Sequence, residues 1–238
     1  MHPEPRRAPR DRRDEVWRRL FERQGPAAER GMCAEFKRGL VAAGLEARRM
    51  PQHGALSRRL MNVCGWRIET VPGLIPARDF FALLRDRRFP SPDWIRHPDD
   101  LEYTPEPDAF HDLFGHVPQL VSPPFTRVLE HLAFAARRAS DEELAEIERV
   151  YWFTIEFGLV REQSIVKAIG AGLASSIAEL DRALHLESIE RRRFVLTTAR
   201  NVEFKTDHPQ ALYMVADSLD ALAKDLRGEN WSSARRAS

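Results

Sequence analysis

The chain has 238 residues, of which 43% are apolar and 31% charged, an ordinary composition for a folded globular protein rather than a disordered one. Its 37 basic residues (33 Arg and 4 Lys) nearly balance 36 acidic residues, and a net charge of +1 argues against a nucleic-acid partner. Two cysteines exclude a disulfide framework and a four-cysteine zinc site, and they favour a reducing, cytoplasmic location.

The first 13 residues are rich in Arg and Pro, and they lack the apolar stretch of a signal peptide. A targeting or anion-binding tail is one interpretation, but a solvated terminus is the commoner one. We therefore expect a disordered N-terminal arm over residues 1–13 and a single domain over residues 14–238. No apolar run reaches the roughly 18–20 residues of a membrane span, so no membrane association is expected.

Helical spacing of apolar residues dominates the rest of the chain. The stripe Val16, Trp17, Leu20 and Phe21 predicts a first helix, and Met32, Phe36, Leu40 and Val41 predict a second. Residues 86–107 contain five prolines and predict a long loop, which in a compact domain is often functional. The fold class predicted is mostly α with small β elements. The remaining predicted helices cover 54–63, 76–85, 108–116, 123–138, 141–158, 175–186 and 217–227, with short strands over 66–71 and 211–216.

Two histidines lie five residues apart in the segment that follows the proline-rich loop. In a regular α-helix five residues turn by about 500°, which leaves His111 and His116 about 140° apart. Gly115 and Pro118 are expected to distort the last turn and to bring His116 round towards His111. Spacing alone does not make the pair a metal site.

Glu156 is the only acid in the apolar run 151–160. A helix that is apolar all round is buried, and a carboxylate there costs several kcal/mol unless a cation or hydrogen bonds compensate it. Glu156 is therefore a partner of a buried Arg, a protonated acid or a metal ligand.

Together, two histidines and one carboxylate form the ligand set of a mononuclear non-haem Fe(II) site. Three alternatives remain open from the residues alone. They are an iron oxygenase, a zinc hydrolase with the same ligands, and a non-catalytic helical domain in which the three residues are structural. A zinc hydrolase of the His-Glu-x-x-His type is disfavoured, because His116 lies one residue too far from His111.

Long motifs with family-like spacing extend over about residues 14–227. In these motifs the sequence resembles the pterin-dependent aromatic amino acid hydroxylases, and it is most similar to their short, single-domain phenylalanine 4-hydroxylases. The catalytic-domain fold of that family is therefore expected. The motifs are Val71-Pro-Gly-Leu-Ile-Pro-Ala-Arg-Asp-Phe80-Phe, Trp94-Ile-Arg96-His97, Tyr103-Thr-Pro-Glu-Pro-Asp-Ala-Phe-His111-Asp-Leu-Phe-Gly-His116-Val-Pro, Tyr151-Trp-Phe-Thr-Ile-Glu156-Phe-Gly-Leu and Gly170-Ala-Gly-Leu-Ala-Ser175-Ser176.

The resemblance implies roles for fourteen residues. It implies that iron is held by His111, His116 and Glu156, and that Arg96 binds the substrate carboxylate, for which its forked guanidinium is suited. The other implied substrate-binding residues are Thr104, Pro107, Trp152, Gly172 and Ser175. The implied pterin-binding residues are Gly73, Ile75, Phe80, Asp112 and Tyr151.

The reaction implied is the hydroxylation of L-phenylalanine to L-tyrosine by O2, with Fe(II) and a tetrahydropterin (tetrahydrobiopterin or a related one). The match is loose around Phe204–Tyr213, which borders the substrate pocket, so tryptophan or tyrosine stays open as substrate. The family's regulatory and tetramerisation segments are not matched, and a monomer is expected.

Overall fold

The computed structural model describes residues 4–102, 104–206, 208–227 and 231. Its first half consists of helices around one short pair of strands. Helices α2 and α3 end where Gly44 and Gly65 adopt positive φ, a conformation that favours glycine. The elements of this half are a 3-10 turn (Arg10–Arg12), α1 (Arg13–Gly31), α2 (Ala34–Ala43), α3 (His53–Cys64), β1 (Arg67–Val71), α4 (Ala77–Arg85), β2 (Arg88–Pro92), a π-helical turn (His111–His116) and α5 (Val117–Leu120).

The second half adds helices and a small mixed sheet. Ser140 caps α7 and forms a reciprocal capping box with Glu143, which fixes where this helix begins. The elements are α6 (Pro123–Ala136), α7 (Asp141–Tyr151), a second π-helical turn (Trp152–Glu156), β3 (Leu159–Glu162), β4 (Ile165–Ala168), α8 (Ala171–Ala174), α9 (Ile177–His185), β5 (Glu190–Arg193), α10 (Leu196–Ala199), β6 (Leu212–Ala216) and α11 (Leu219–Asp225).

The described strands form two separate sheets. Strands β1 and β2 pair in parallel, with Arg67 opposite Arg88. The other sheet has the order β4-β3-β6-β5, in which β3 and β4 are antiparallel and the other pairs are parallel. The predicted fold class, mostly α with small β elements, is confirmed.

An aromatic cluster joins α1 to the helix that carries the two histidines. Trp17 meets Phe110 edge-on at 5.4 Å, and Phe110 stacks on Phe114 at 4.9 Å. All three side chains are buried, and burial of each large apolar side chain contributes about 1.5–3 kcal/mol. The predicted apolar stripe of α1 therefore packs against the helix that carries the two histidines and holds it in place.

Several predicted elements differ from the structure in their bounds or their presence. Strand β2 lies inside the predicted loop, where the prolines spoke against a strand; Pro90 and Pro92 are tolerated because each strand of a two-stranded sheet is an edge. Strands β3, β4 and β5 were not predicted, since four residues give too short a pattern to recognise. Val41, assigned to an apolar face, is 78% exposed.

The prediction of a disordered arm is wrong for the part of the arm that is described. Ala8 is buried, and its N–H donates to Ile95 O at 2.8 Å, while His97 N donates to Arg6 O at 2.9 Å. The Arg7 guanidinium lies 4.7 Å from the centre of the Trp94 ring. Backbone pairing, which the charged composition conceals, orders this segment. Residues 1–3 of the arm and Tyr103 lie outside the described residues.

Within the described ranges, no helix combines the length and the apolar character that crossing a bilayer requires.

Candidate active site

His111 and His116 are brought to one side of their helix by a π-helical turn. The N–H of Val117 donates to the carbonyl of Asp112, five residues back, instead of the usual four. This wider turn places residues five apart above one another, which a regular α-helix would not do. The predicted distortion is therefore present. Gly115 serves a different purpose, because a Cβ there would lie 2.9 Å from Ala171 O and would block the approach of α8.

Glu156 ends a second π-helical turn, which continues α7. The Phe157 N–H donates to Trp152 O, again five residues back, at 2.8 Å. The Thr154 hydroxyl donates to Val150 O at 2.6 Å, and such back-bonding competes with the helical ladder and bends helices. A Cβ at Gly170 would lie 2.1 Å from Glu156 O, so only glycine allows the following segment to pack so closely.

The ligand atoms of the three predicted metal-binding residues converge. The Nε2 atoms of His111 and His116 are 3.2 Å apart. Carboxylate oxygens of Glu156 lie 3.0 Å from His116 Nε2 and 3.5 Å from His111 Nε2. Two imidazole nitrogens and a carboxylate oxygen at these separations match the donor set of a facial metal triad.

The charges of these groups are coupled through burial and mutual attraction. Burial opposes ionisation of Glu156, but the two imidazoles outweigh it and hold the pKa of this carboxyl well below its usual range. Burial also opposes the charged form of His111, yet Glu156 raises the pKa of that ring. For His116, which is buried more deeply, burial prevails and lowers the pKa. The site therefore presents an ionised carboxylate to a cation.

Ser175 lies where the resemblance implies, beside the first histidine. Its Oγ is 3.0 Å from His111 Nδ1 and donates its own proton to Ala171 O at 2.9 Å. A hydroxyl has one proton, so the Nδ1 of His111 must be the donor in their hydrogen bond. In the neutral ring the lone pair of His111 is therefore on Nε2, the atom that faces Glu156.

Arg96 is buried in a closed ion pair with Asp108. Its Nε and Nη2 each donate to the Asp108 carboxylate at 2.8 Å, and its backbone N–H adds a third bond at 2.9 Å. Asp108 Oδ1 also accepts the His111 N–H at 3.0 Å, as a helix-capping residue does. Asp108 thus connects the Arg96 loop directly to the first metal-binding candidate.

Trp152 is held from two sides. Its ring stacks on Phe204 at 4.3 Å and 15°, and it lies 4.7 Å from the Phe157 ring. Its indole N–H donates to Gln210 Oε1 at 2.9 Å, and the amide of Gln210 in turn donates to two carbonyls of its own loop. The loosely matching segment around Phe204 therefore forms part of the wall that carries Trp152.

The remaining predicted substrate residues lie in the loop before the first π-helical turn and beside the Phe157 ring that contacts Trp152. The Thr104 hydroxyl donates to Glu106 O at 3.0 Å within the loop that precedes the first π-helical turn, and Pro107 is half-buried there. Gly172 is buried, and a Cβ at its position would lie 2.7 Å from the Phe157 ring. Gly172 thus lets this ring, and with it Trp152, approach α8.

The predicted pterin side is aromatic and contains a buried acid. The rings of Phe80 and Tyr151 meet edge-on at 5.3 Å, and Tyr151 lies 6.3 Å from the His116 ring. Burial and the charge of Glu156 raise the pKa of Asp112 to about 7. The Tyr151 hydroxyl is buried without a hydrogen bond of good geometry among the described residues, and burial together with the nearby charge of Glu156 raises its pKa.

Gly73 and Ile75 belong to the loop that leads into α4. A Cβ at Gly73 would lie 3.1 Å from the Glu106 carboxylate, so this loop borders the substrate-side loop. Ile75 is half-buried, and the described residues show no hydrogen bond between its backbone and the other predicted residues.

The sequence did not single out Asp108, Phe204 and Gln210. Asp108 had a usable signal, because an acid directly before a predicted helix is typical of an N-cap. Phe204 and Gln210 had none, since they lie about fifty residues from Trp152 in the chain.

Comparison with known proteins agrees with this geometry. Residues 5–235 match the family described as biopterin-dependent aromatic amino acid hydroxylase. Two similar curated proteins are phenylalanine-4-hydroxylases. The one from Ralstonia nicotianae is 38% identical over 87% of this chain and 66% of its own length, and the one from Chromobacterium violaceum is 40% identical over 88% and 72%.

A crystal structure of the Chromobacterium violaceum enzyme, with bound iron(III) and the oxidised cofactor 7,8-dihydrobiopterin, superposes with a TM-score of 0.88. It is 36% identical and covers 94% of this chain and 81% of that one. The family match extends over nearly the whole sequence, and the chain belongs to the biopterin-dependent aromatic amino acid hydroxylases.

Proposed function

We propose that this protein hydroxylates L-phenylalanine to L-tyrosine with O2, and that it depends on Fe(II) and a tetrahydropterin. The observation that carries the proposal is the convergence of His111, His116 and Glu156, whose ligand atoms lie within 3.5 Å of their neighbours. In a facial arrangement, three protein ligands leave coordination positions open for other molecules.

The residues present fit a metal ion. Ser175 holds the proton of His111 on Nδ1, which leaves Nε2 free to act as ligand. The two imidazoles keep Glu156 ionised, and its oxygens face ring nitrogens that become lone-pair ligands when they lose their protons. A cation between these atoms would satisfy all three groups at once. Bound Fe(II) and pterin would supply the oxygen-activating redox chemistry, and the protein would supply position.

The residues on the pterin side fit a polar heteroaromatic ring. Phe80 and Tyr151 offer aromatic surface, while the Tyr151 hydroxyl and the Asp112 carboxyl are buried polar groups that can pair with ring substituents. Asp112, with a pKa raised to about 7, can hold or accept a proton near neutral pH. Gly73 and Ile75 would contribute backbone contacts from the neighbouring loop.

Arg96 is arranged to receive an amino acid carboxylate. Asp108 occupies the Nε and Nη2 side of the guanidinium and Nη1 makes a longer bond to Leu101 O at 3.4 Å, which leaves one N–H on each of Nη1 and Nη2. A second carboxylate can bind these two N–H groups in two-pronged geometry. Trp152, with Thr104, Pro107 and Gly172 in the adjoining walls, would enclose the aromatic ring and exclude water from the reacting centre.

The zinc hydrolase alternative is not supported by the family match. Hydroxylation of tryptophan or tyrosine remains the second candidate, because the segment around Phe204 that backs Trp152 matches the family only loosely.

The test is turnover by metal-free protein loaded in parallel with Fe(II) or Zn(II), supplied with tetrahydrobiopterin and O2. Phenylalanine, tyrosine and tryptophan compete as substrates, and products are quantified by mass spectrometry. We expect tyrosine from phenylalanine with Fe(II) alone. Absence of a hydroxylated product from all three amino acids would contradict the proposal, and His111→Ala is the inactive control.

We further propose a monomer with one catalytic domain over residues 14–238 and a cytoplasmic location. Both cysteines are free, which suits a reducing compartment. Large exposed apolar side chains lie on different elements, such as Leu74 before α4, Phe134 on α6 and Ile165 on β4. Light scattering on the purified chain measures its mass in solution; a multiple of 27.4 kDa would exclude a monomer.

A further inference from the structure

Gln119 is a fully buried polar residue three positions after His116, and the proposed function does not use it. Its amide nitrogen donates to Ile169 O at 2.9 Å and to Ile155 O at 3.3 Å. Because both partners are carbonyls, the nitrogen must face them, and Oε1 points the other way. Ile155 directly precedes Glu156. Ile169 directly precedes the segment that ends in Ser175, the partner of His111.

Two buried polar atoms near this amide lack a hydrogen bond of good geometry among the described residues. They are the Oε1 of Gln119 and the Nδ1 of His116. The two residues are close in the fold, because His116 immediately precedes α5 and Gln119 lies in it three residues later, a spacing that puts side chains on one face of a helix. A neutral imidazole that binds a metal through Nε2 carries its proton on Nδ1, and that N–H requires an acceptor. The two unpartnered atoms are thus chemically complementary, since one is an acceptor and the other carries the N–H.

The two histidines therefore differ in what supports them. His111 has a direct hydrogen bond from Nδ1 to Ser175, at 3.0 Å. Among the described residues His116 Nδ1 has no such bond, and Gln119 offers a buried carboxamide three residues away. The same carboxamide is tied to the residue before Glu156, so it can adjust His116 and Glu156 together.

We infer that Gln119 is a positioning residue of the metal site: its Oε1 accepts the Nδ1–H of His116 when Nε2 binds the metal, and its amide holds the segment of Glu156 in place. This inference rests on the proposed iron site. It assigns to Gln119, for His116, the supporting role that Ser175 has for His111. Partners of this kind typically contribute 10–100-fold to metal affinity.

The test is the dissociation constant of Co(II) or Fe(II) for metal-free Gln119→Leu, measured anaerobically by competition with a chromophoric chelator. We expect binding about 10–100-fold weaker than for the parent protein. Gln24→Leu is the matched control, because Gln24 is also buried but lies on α1, away from the three ligands. Its affinity should equal that of the parent.

Gln119→Glu tests whether the side-chain oxygen, rather than the packing of the side chain, supports metal binding. It keeps a side-chain oxygen for His116 but loses the amide donor to Ile155 O and Ile169 O, so its affinity should lie between those of the parent and Gln119→Leu. Gln119→Met replaces the leucine variant if the latter does not fold. Parent-like affinity in both apolar variants would overturn the inference, as would an equal loss in Gln119→Glu and the apolar variants. If the parent itself bound no metal, the proposed function would fail instead.

Discussion

Asp108 and Glu156 are both acids in the interior of this protein, yet their partners are of opposite kinds. Asp108 accepts four hydrogen bonds, three from Arg96 and one from the His111 backbone, so the fold itself satisfies its charge. The ion-pair partners of Glu156 among the described residues are two imidazole nitrogens at 3.0 and 3.5 Å. Those nitrogens offer lone pairs when neutral, and they attract a carboxylate only through a proton or a metal.

Buried charges in this protein are therefore of two kinds: some are satisfied by the fold, and others are satisfied by a ligand. A saturated pair such as Arg96–Asp108 stabilises one arrangement of the chain and needs nothing further. A carboxylate between unprotonated rings is at its most stable when a cation arrives. Variants of the two acids should therefore separate folding from metal binding.

The largest effect should come from Glu156→Gln. The substitution removes the negative ligand but keeps the volume, so metal affinity should fall by more than the roughly 100-fold limit typical of outer-shell changes. The metal-free variant should unfold at a denaturant concentration close to that of the metal-free parent. Chelator competition and urea titration measure the two quantities. Parent-like metal affinity would remove Glu156 from the site.

Asp108→Asn should show the opposite pattern. Removing one partner leaves the Arg96 charge buried without compensation, which costs about 3–5 kcal/mol of unfolding free energy. The three metal ligands are retained, so the variant that does fold should still bind Fe(II) or Co(II). Urea unfolding of the metal-free protein measures the loss. Asp100→Asn is the control, because its pair with Arg6 is more exposed and should change little; equal losses in both variants would erase the contrast.

Only part of the difference between Glu156 and Asp108 could be predicted from the sequence. Glu156 was recognisable because it is the single acid in an apolar run, and the two histidines because a Gly and a Pro interrupt their helix. The mechanism that joins them was not recognisable. Hydrogen bonds from residue i+5 leave no residue pattern, and only Thr154, through its back-bond to Val150, hints at the second π-helical turn.

Contacts distant in sequence explain most of the rest. Trp152 was identified, but Phe204 and Gln210, which hold its ring, lie on a loop with no periodic pattern. The ordered arm was missed for a related reason: its pairing with Ile95 and His97 uses backbone groups, which a charged, proline-rich composition does not reveal.

A smaller effect is expected from Phe204→Ala, which removes the uncharged aromatic stack that supports Trp152. A stacked aromatic pair contributes about 0.5–1.5 kcal/mol, which corresponds to roughly 2- to 10-fold in affinity. Under the proposed function, the KM for phenylalanine should rise by this factor because Trp152 loses its support, while metal affinity stays unchanged. Phe134→Ala, an exposed ring on α6, is the control. A fall in metal affinity instead would mean that Phe204 acts on the triad.

The smallest effect should come from Arg7→Ala, because Arg7 contacts the Arg96 loop only through the N-terminal arm. Arg7 lies over Trp94 at 4.7 Å, two residues from Arg96, and its neighbours pair with Ile95 and His97. A cation–π contact at an exposed site contributes about 0.5–1 kcal/mol, so the KM for the amino acid should rise by at most about 5-fold. Because the arm touches the loop of the saturated pair and not the triad, kcat and metal affinity should not change. Arg10→Ala, in the adjacent 3-10 turn, is the control. A fall in metal affinity in Arg7→Ala would contradict this expectation, because it would mean that the change passes beyond Arg96, through the bond of Asp108 to the His111 backbone, to the three ligands.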